Sequence, residues 1–166
     1  MGNIVILEGP DACGKTMFAN YLVSNCRYYY HHEGVPPAGV CLSEYYGNQL
    51  LAAKYSNVNH VFDRHFLGQL VYGPIHRNDA EIKAAPFMWL VYTWDIKLIL
   101  FNTDFETQLK IWKERHHNEH IKKEEILFEC YNAWVEMAEK YPFLPRFDYR
   151  KDSYHYLMNI VNERRH

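Results

Sequence analysis

Several things are missing from this chain, and each absence narrows what it is. No two of its four cysteines (Cys13, Cys26, Cys41 and Cys130) are spaced as CxxC. They read as reduced thiols of a cytosolic protein rather than a metal site or a disulfide framework. The opening MGNIVILEGPD has no basic segment followed by a long apolar stretch, so it is not a secretory signal. Position 6 is Ile where a myristoylation signal needs Ser or Thr. The most apolar later window, FMWLVYTWDIKLILF, is broken by Asp95 and Lys97, and no membrane span is expected. An excess of charge is missing too. Eighteen Lys and Arg stand against twenty Asp and Glu, a formal net charge of -2, so no overall basic field favours non-specific nucleic-acid binding. There is no internal repeat, low-complexity tract or interdomain linker. What is present is a chain of 166 residues, 48% hydrophobic and 23% charged, which suits one folded domain, residues 1–166, with a substantial core.

Hydrophobic patterning gives an alternation of strands and helices. Residues 3–8 form a short, nearly continuous apolar run, as in a strand buried on both faces. Residues 15–25 follow as a helix, with Met17, Phe18, Tyr21 and Leu22 at helical spacing. RYYYHH (27–32), NVNHVFD (57–63), KLILFNT (97–103) and PRFDY (145–149) read as further strands. Helices are predicted over 43–54 and 65–73, the latter ended by Gly73-Pro74, and over 77–94, with Pro86 marking a new start or a kink. Another runs from a cap at Thr103 or Asp104 to about His116. Residues 122–141 form the clearest amphipathic helix, with Ile126, Leu127, Cys130, Tyr131, Trp134, Met137, Ala138 and Tyr141 on one face. A closing helix covers 152–165. The expected fold is α/β: about five parallel strands with helices on both faces.

The chemistry starts at GPDACGKT, residues 9–16, which fits GxxxxGK[ST] at every fixed position. A strand precedes it and a helix follows, the context this motif needs. Gly9 and Gly14 let the backbone curl so that the N–H groups of Asp11, Ala12 and Cys13 face an anion. The helix starting near Lys15 adds its positive end. Lys15 carries charge to the β- and γ-phosphates of ATP, and the Thr16 hydroxyl can hold Mg²⁺. Cys13 occupies a small-residue position and is assigned no catalytic role. No NKxD-like segment for reading a guanine base is found, which argues against a GTPase.

A second motif, FDRHFLGQLVYG (62–73), follows a strand. Asp63 and Arg64 at a strand's C-terminal end open toward the ligand crevice of such a sheet. Asp63 would hold Mg²⁺ through water or accept the acceptor's proton. Arg64 would clamp the acceptor phosphate or the transferring phosphoryl group.

Together these stretches resemble the thymidylate kinase family. Glu8, Gly9, Pro10 and Asp11 match its glutamate-glycine-any-aspartate opening to the phosphate loop. Asp63, Arg64 and His65, with Tyr72 and Gly73, match its Asp-Arg-Tyr/His signature and the tyrosine-glycine region behind it. HHEGVPP matches its Arg-Glu-Pro-Gly-Gly-like turn at Glu33, with His32 in place of the arginine. The resemblance implies a three-layer P-loop kinase fold using ATP and Mg²⁺. It places Asp11 near the acceptor sugar, with Glu33, Arg64 and Tyr72 also on the acceptor side, and Thr16 and Asp63 at the metal.

QLKIWKERHHNEHIKK, residues 108–123, is a basic, histidine-rich helix end and loop suited to a closing lid. Because the phosphate loop has Ala12 and no arginine of its own, a lid arginine is chemically wanted over the migrating phosphoryl group. Arg115 is the first candidate, with Lys110 and Lys113 behind it. His116 and His120 are spaced i,i+4, but no third zinc ligand accompanies them. Between Glu33 and Asp63 there is room for one short helix where the family has two, so the base pocket is either rebuilt from PFMWLVYTW or unusually open.

The expected reaction is γ-phosphoryl transfer from Mg-ATP to a pyrimidine deoxynucleotide, dTMP or a modified dUMP. Three alternatives are a kinase acting on the hydroxymethyl group of 5-hydroxymethyluracil in DNA, a deoxynucleoside kinase, and a non-catalytic ATP-binding module. Expected partners are a small-molecule nucleotide acceptor, or modified DNA under the first alternative, and a second copy of the chain as a homodimer. No membrane is involved. The expected setting is the cytoplasm of a bacterial cell or a phage-infected host.

Overall fold

The computed structural model describes residues 2–32, 34–77, 82–115, 121 and 123–163. Its elements in chain order are β1 (Ile4–Glu8), α1 (Lys15–Cys26), β2 (Tyr28–His32), α2 (Leu42–Tyr55), β3 (Asn59–Asp63) and α3 (Phe66–Arg77). They continue with α4 (Ala84–Thr93), β4 (Lys97–Phe101), α5 (Phe105–Arg115), α6 (Glu124–Lys140), β5 (Arg146–Phe147) and α7 (Tyr154–Asn162). The five strands form one sheet in the order β2-β3-β1-β4-β5, every pairing parallel.

Alternation along the strands divides the core in two. Ile4, Ile6, Phe62, Leu98 and Leu100 pack with residues of α2, α3, α4 and α6, whereas Val5, Leu7, Val61, Ile99 and Phe101 pack with α1 and α7. A sheet covered on both faces needs strands apolar on both faces, which is why β1 and β4 read as nearly unbroken apolar runs, with only Glu8 and Lys97 at their ends charged. Each fully buried Leu, Ile or Phe among them contributes about 1.5–3 kcal/mol.

Several element ends differ from expectation. The α3 helix does not stop at Gly73-Pro74 but runs through Pro74 to Arg77. Proline there removes one helical N–H, yet burial of Val71 and Tyr72 in the core holds the helix together across it. Of the helix expected over 77–94, Ala84–Thr93 is helical, with Pro86 in its first turn, where a missing N–H is tolerated. Residues 78–81 of that stretch lie outside the described residues. The last strand is only Arg146–Phe147, because the Asp148 carboxylate accepts from the Arg150 N–H and turns the chain. At the start of α5 it is Asp104 that caps, accepting from the Thr107 N–H at 2.7 Å. Met17 is 68% exposed, and the buried stripe of α1 is Lys15, Phe18, Ala19 and Leu22. Among the described residues no helix is long and apolar enough to cross a membrane.

Candidate functional site

The loop joining β1 to α1 is bent by its own backbone. Gly9 has φ 138 and Gly14 φ 91, and Ala12 takes the left-handed region at φ 60. Gly9 also passes so close to β4 that a Cβ there would lie 2.2 Å from the Phe101 carbonyl oxygen. Only glycine fits on both counts. The Lys15 ammonium is buried beneath the loop and donates to the Gly9 and Pro10 carbonyls at 2.9 and 2.5 Å and to Cys13 Sγ at 3.4 Å. Burial opposes its charge, but Cys13, Tyr72 and Asp63 outweigh that and raise its pKa. Burial raises the Cys13 pKa, and the thiol donates to the Pro10 carbonyl at 2.9 Å.

The sheet brings the second motif alongside. β1 pairs with β3 so that Leu7 lies opposite Asp63, and the Arg64 N–H donates to the Leu7 carbonyl at 2.9 Å. Asp63 is 1% exposed and sits beside the loop. Its Oδ2 accepts from the Thr16 hydroxyl at 2.5 Å and from the Tyr30 hydroxyl at 3.1 Å. His32 Nδ1 stands 3.7 Å from the same oxygen. Burial, then the charge of Asp63, pushes the Tyr30 pKa up to about 12, so this phenol stays a donor. Arg64 is left-handed at φ 74, an unusual backbone state for a long side chain. Its Nη2 pairs with Asp11 across the loop, and its guanidinium carbon lies over the Tyr72 ring, 4.8 Å from the centroid.

Glu8 ties the two motifs together. Its fully buried carboxylate accepts from the backbone N–H groups of His65, Leu67 and Gly68 at 3.0, 2.9 and 3.0 Å, filling the otherwise unpaired N-terminal end of α3. Burial raises its pKa to about 7 against the pull of those N–H groups. Behind it, His65 is 1% exposed within a box of Tyr46, Phe62, Phe66 and Phe87, and neither ring nitrogen has a hydrogen-bond partner among the described residues. Burial lowers its pKa to about 3.

These groups frame a cavity of about 310 Å³ lined by residues 11–17 of the loop, His32, Asp63, Arg64, Ile111, Arg115 and Tyr149. The cavity thus joins the phosphate loop, the β3 end and α5, including Arg115. Lys110 and Lys113 do not line it, and Lys113 pairs with Glu124 at 3.3 Å. Tyr72 lies beneath Arg64, 8% exposed, and does not line the cavity either. No residue of PFMWLVYTW lines it; Phe87 and Val91 enter the core, while Trp89 and Tyr92 are 63% and 76% exposed. Glu33, His116 and His120 lie outside the described residues.

Three residues at the site escaped the sequence reading: Tyr30, which bonds Asp63, and His32 and Tyr149, which line the cavity. RYYYHH was read as strand packing, but Tyr30 and His32 alternate onto the face that reaches Asp63, and a parallel strand's C-terminal end was the available signal. Tyr149 follows the short β5, and its turn is tied to α5 by Arg150, which pairs with Asp148, Asp104 and the Thr107 hydroxyl.

No family model matches the chain, and no curated protein matches it in sequence. Solved structures do. The YorR protein of Bacillus subtilis, in complex with phosphorylated GDP, matches with a TM-score of 0.73 and 17% identity over 99% of this chain and 100% of that one. Deoxyadenosine kinase from M. mycoides with bound dATP matches with a TM-score of 0.64 and 16% identity over 96% of this chain and 99% of that one. Polyphosphate kinase 2 from Arthrobacter aurescens matches with a TM-score of 0.56 and 16% identity over 80% of this chain and 53% of that one. The chain has the P-loop kinase fold, with its five-stranded parallel sheet and helices on both faces.

Proposed function

We propose that the protein is an ATP-dependent kinase whose acceptor is a pyrimidine deoxynucleotide such as dTMP or a modified dUMP. The observation that carries the reading is the convergence on one cavity of the phosphate loop, the Thr16–Asp63 pair and two arginines, Arg64 and Arg115, from separate elements. The donor's phosphates fit the loop, where backbone N–H groups, Lys15 and the start of α1 supply positive charge. Arg64 grips the acceptor phosphate, and Arg115 comes over the migrating group from α5. The acceptor oxygen bonds to the γ-phosphorus as the bridging oxygen leaves with ADP, and the acceptor's proton passes to Asp63 or to solvent. The work of the residues is alignment and charge neutralisation, with no covalent intermediate on the protein.

The residues present fit Mg²⁺. A hydroxyl and a carboxylate 2.5 Å apart at the mouth of a phosphate loop are the hard oxygen donors that this ion takes alongside waters and phosphate oxygens. When bound there it would neutralise phosphate charge, held by Thr16 and Asp63.

The acceptor assignment is supported by Asp11 and the Asp63-Arg64-His65 signature, which resemble thymidylate kinases. A second reading, a deoxynucleoside kinase, is favoured by the pairing of Arg64 with Asp11, which leaves less free charge for an acceptor phosphate, and by the likeness to deoxyadenosine kinase. A screen with γ-labelled ATP over thymidine, all nucleoside monophosphates and hydroxymethyluracil-containing DNA separates the readings. Label on dTMP and not on thymidine is the expected result. Lys15→Ala is expected to abolish transfer while thermal unfolding stays cooperative, and full activity in that variant would overturn the proposal.

A further inference from the structure

Arg64 needs something to hold it. Its backbone sits in the left-handed region, and a free arginine side chain has roughly 2 kcal/mol of rotamer freedom to lose. Asp11 secures one end of the guanidinium, and its Cζ lies over the Tyr72 ring, 4.8 Å from the centroid. Tyr72 is therefore the floor under Arg64. That floor is itself anchored. The Trp134 indole N–H donates to the Tyr72 hydroxyl oxygen at 3.2 Å, and the two rings meet edge-on, 6.1 Å apart at 66°. Trp134 is 4% exposed and belongs to α6. A buried indole N–H needs an acceptor, and a buried phenol raised in pKa by its burial keeps its proton and offers its oxygen lone pairs.

We infer that Trp134 is a positioning residue for Arg64: its N–H fixes the Tyr72 hydroxyl, and the fixed ring holds the guanidinium at the cavity wall. The chain of contacts runs Trp134, Tyr72, Arg64, Asp11 and connects α6 to the rim of the phosphate loop. Its consequence for turnover rests on the kinase reading above, in which Arg64 grips the acceptor; the geometric part stands without it.

Trp134→Phe in the full chain removes the N–H and keeps an aromatic ring in the core. Two readouts are taken. The first is the Arg64 Nε–Hε resonance of ¹⁵N-labelled protein, identified by its loss in Arg64→Lys. It should shift and broaden toward that of a solvent-exposed arginine in Trp134→Phe, while the backbone amide spectrum away from α3 and α6 is unchanged. The second is kinetic, with dTMP as the acceptor probe. The acceptor KM should rise about three- to tenfold, the cost of one lost hydrogen bond, with the ATP KM unmoved. Tyr72→Phe, which removes the oxygen from the other side, should reproduce both changes, and the double variant should add nothing to either. An Arg64 resonance identical in wild type and both single variants overturns the inference, as does an equal rise in donor and acceptor KM. If the resonance moves while the wild type phosphorylates no acceptor, Trp134 keeps its role and the kinase reading fails.

Discussion

Two buried ionisable side chains, Glu8 and His65, are neighbours with opposite pH behaviour. Folding raises the pKa of Glu8 from 4.5 to about 7, so the folded state holds this proton more tightly than the unfolded chain. Its contribution is fully present below pH 4.5 and is lost as pH rises through 7. His65 is the reverse. Its pKa falls from 6.5 to about 3, so its contribution is present above pH 6.5 and is lost as pH falls toward 3. Between pH 7 and pH 5 the two slopes oppose. Removing either should expose the other. Glu8→Gln is expected to lose stability on acidification across this window, and His65→Phe to gain it. Each slope would be about 2 kcal/mol, or about 4–8 °C in thermal midpoint. Midpoints measured by circular dichroism at pH 7 and pH 5 check this, and parallel slopes in the two variants would refute it.

At the level of elements, α3 carries the clearest tension between local chemistry and packing. Pro74 within it leaves the Leu70 carbonyl without its helical donor. Pro74→Ala restores that N–H, and is expected to stabilise the protein by about 1–2 kcal/mol net of the added freedom of the unfolded chain, read from urea unfolding. No change, or a loss, would mean that Tyr72 and its neighbours are seated by the break itself. The same helix shows what could be read in advance. The parallel arrangement and the central strands were legible because a doubly covered sheet forces long apolar runs, and the bend of the 9–16 loop was legible because its glycines sit at fixed offsets. The end of α3 was not, because Gly73-Pro74 is a local stop signal and Val71 and Tyr72 are held by residues distant in sequence. Tyr30, His32 and Tyr149 were hidden for a related reason. Their roles depend on which strands are neighbours, and strand order is not written in any local pattern.

For the whole molecule, the proposed donor site, built from one loop and four other segments, predicts strong linkage between ligand and stability. Mg-ATP at a hundred times its Kd should add about 2.7 kcal/mol, about 5–10 °C in thermal midpoint. Lys15→Ala should show little of this shift in differential scanning calorimetry. An undiminished shift in the variant would place the nucleotide elsewhere on the protein.

The strand order has one more consequence, for the making of the chain. β1 lies at the centre of the sheet, and its two partners are β3 and β4, which come much later in the sequence. During synthesis the Gly9–Thr16 loop leaves the ribosome well before Asp63, and before Phe101, whose carbonyl packs against Gly9. Until β4 is out, Val5, Ile6 and Leu7 have one flank open, and closing such distant pairs is slow. The segment that reads most plainly in the sequence thus cannot take its final shape until β4 has emerged, and the nascent chain carries an uncovered sticky strand in the meantime.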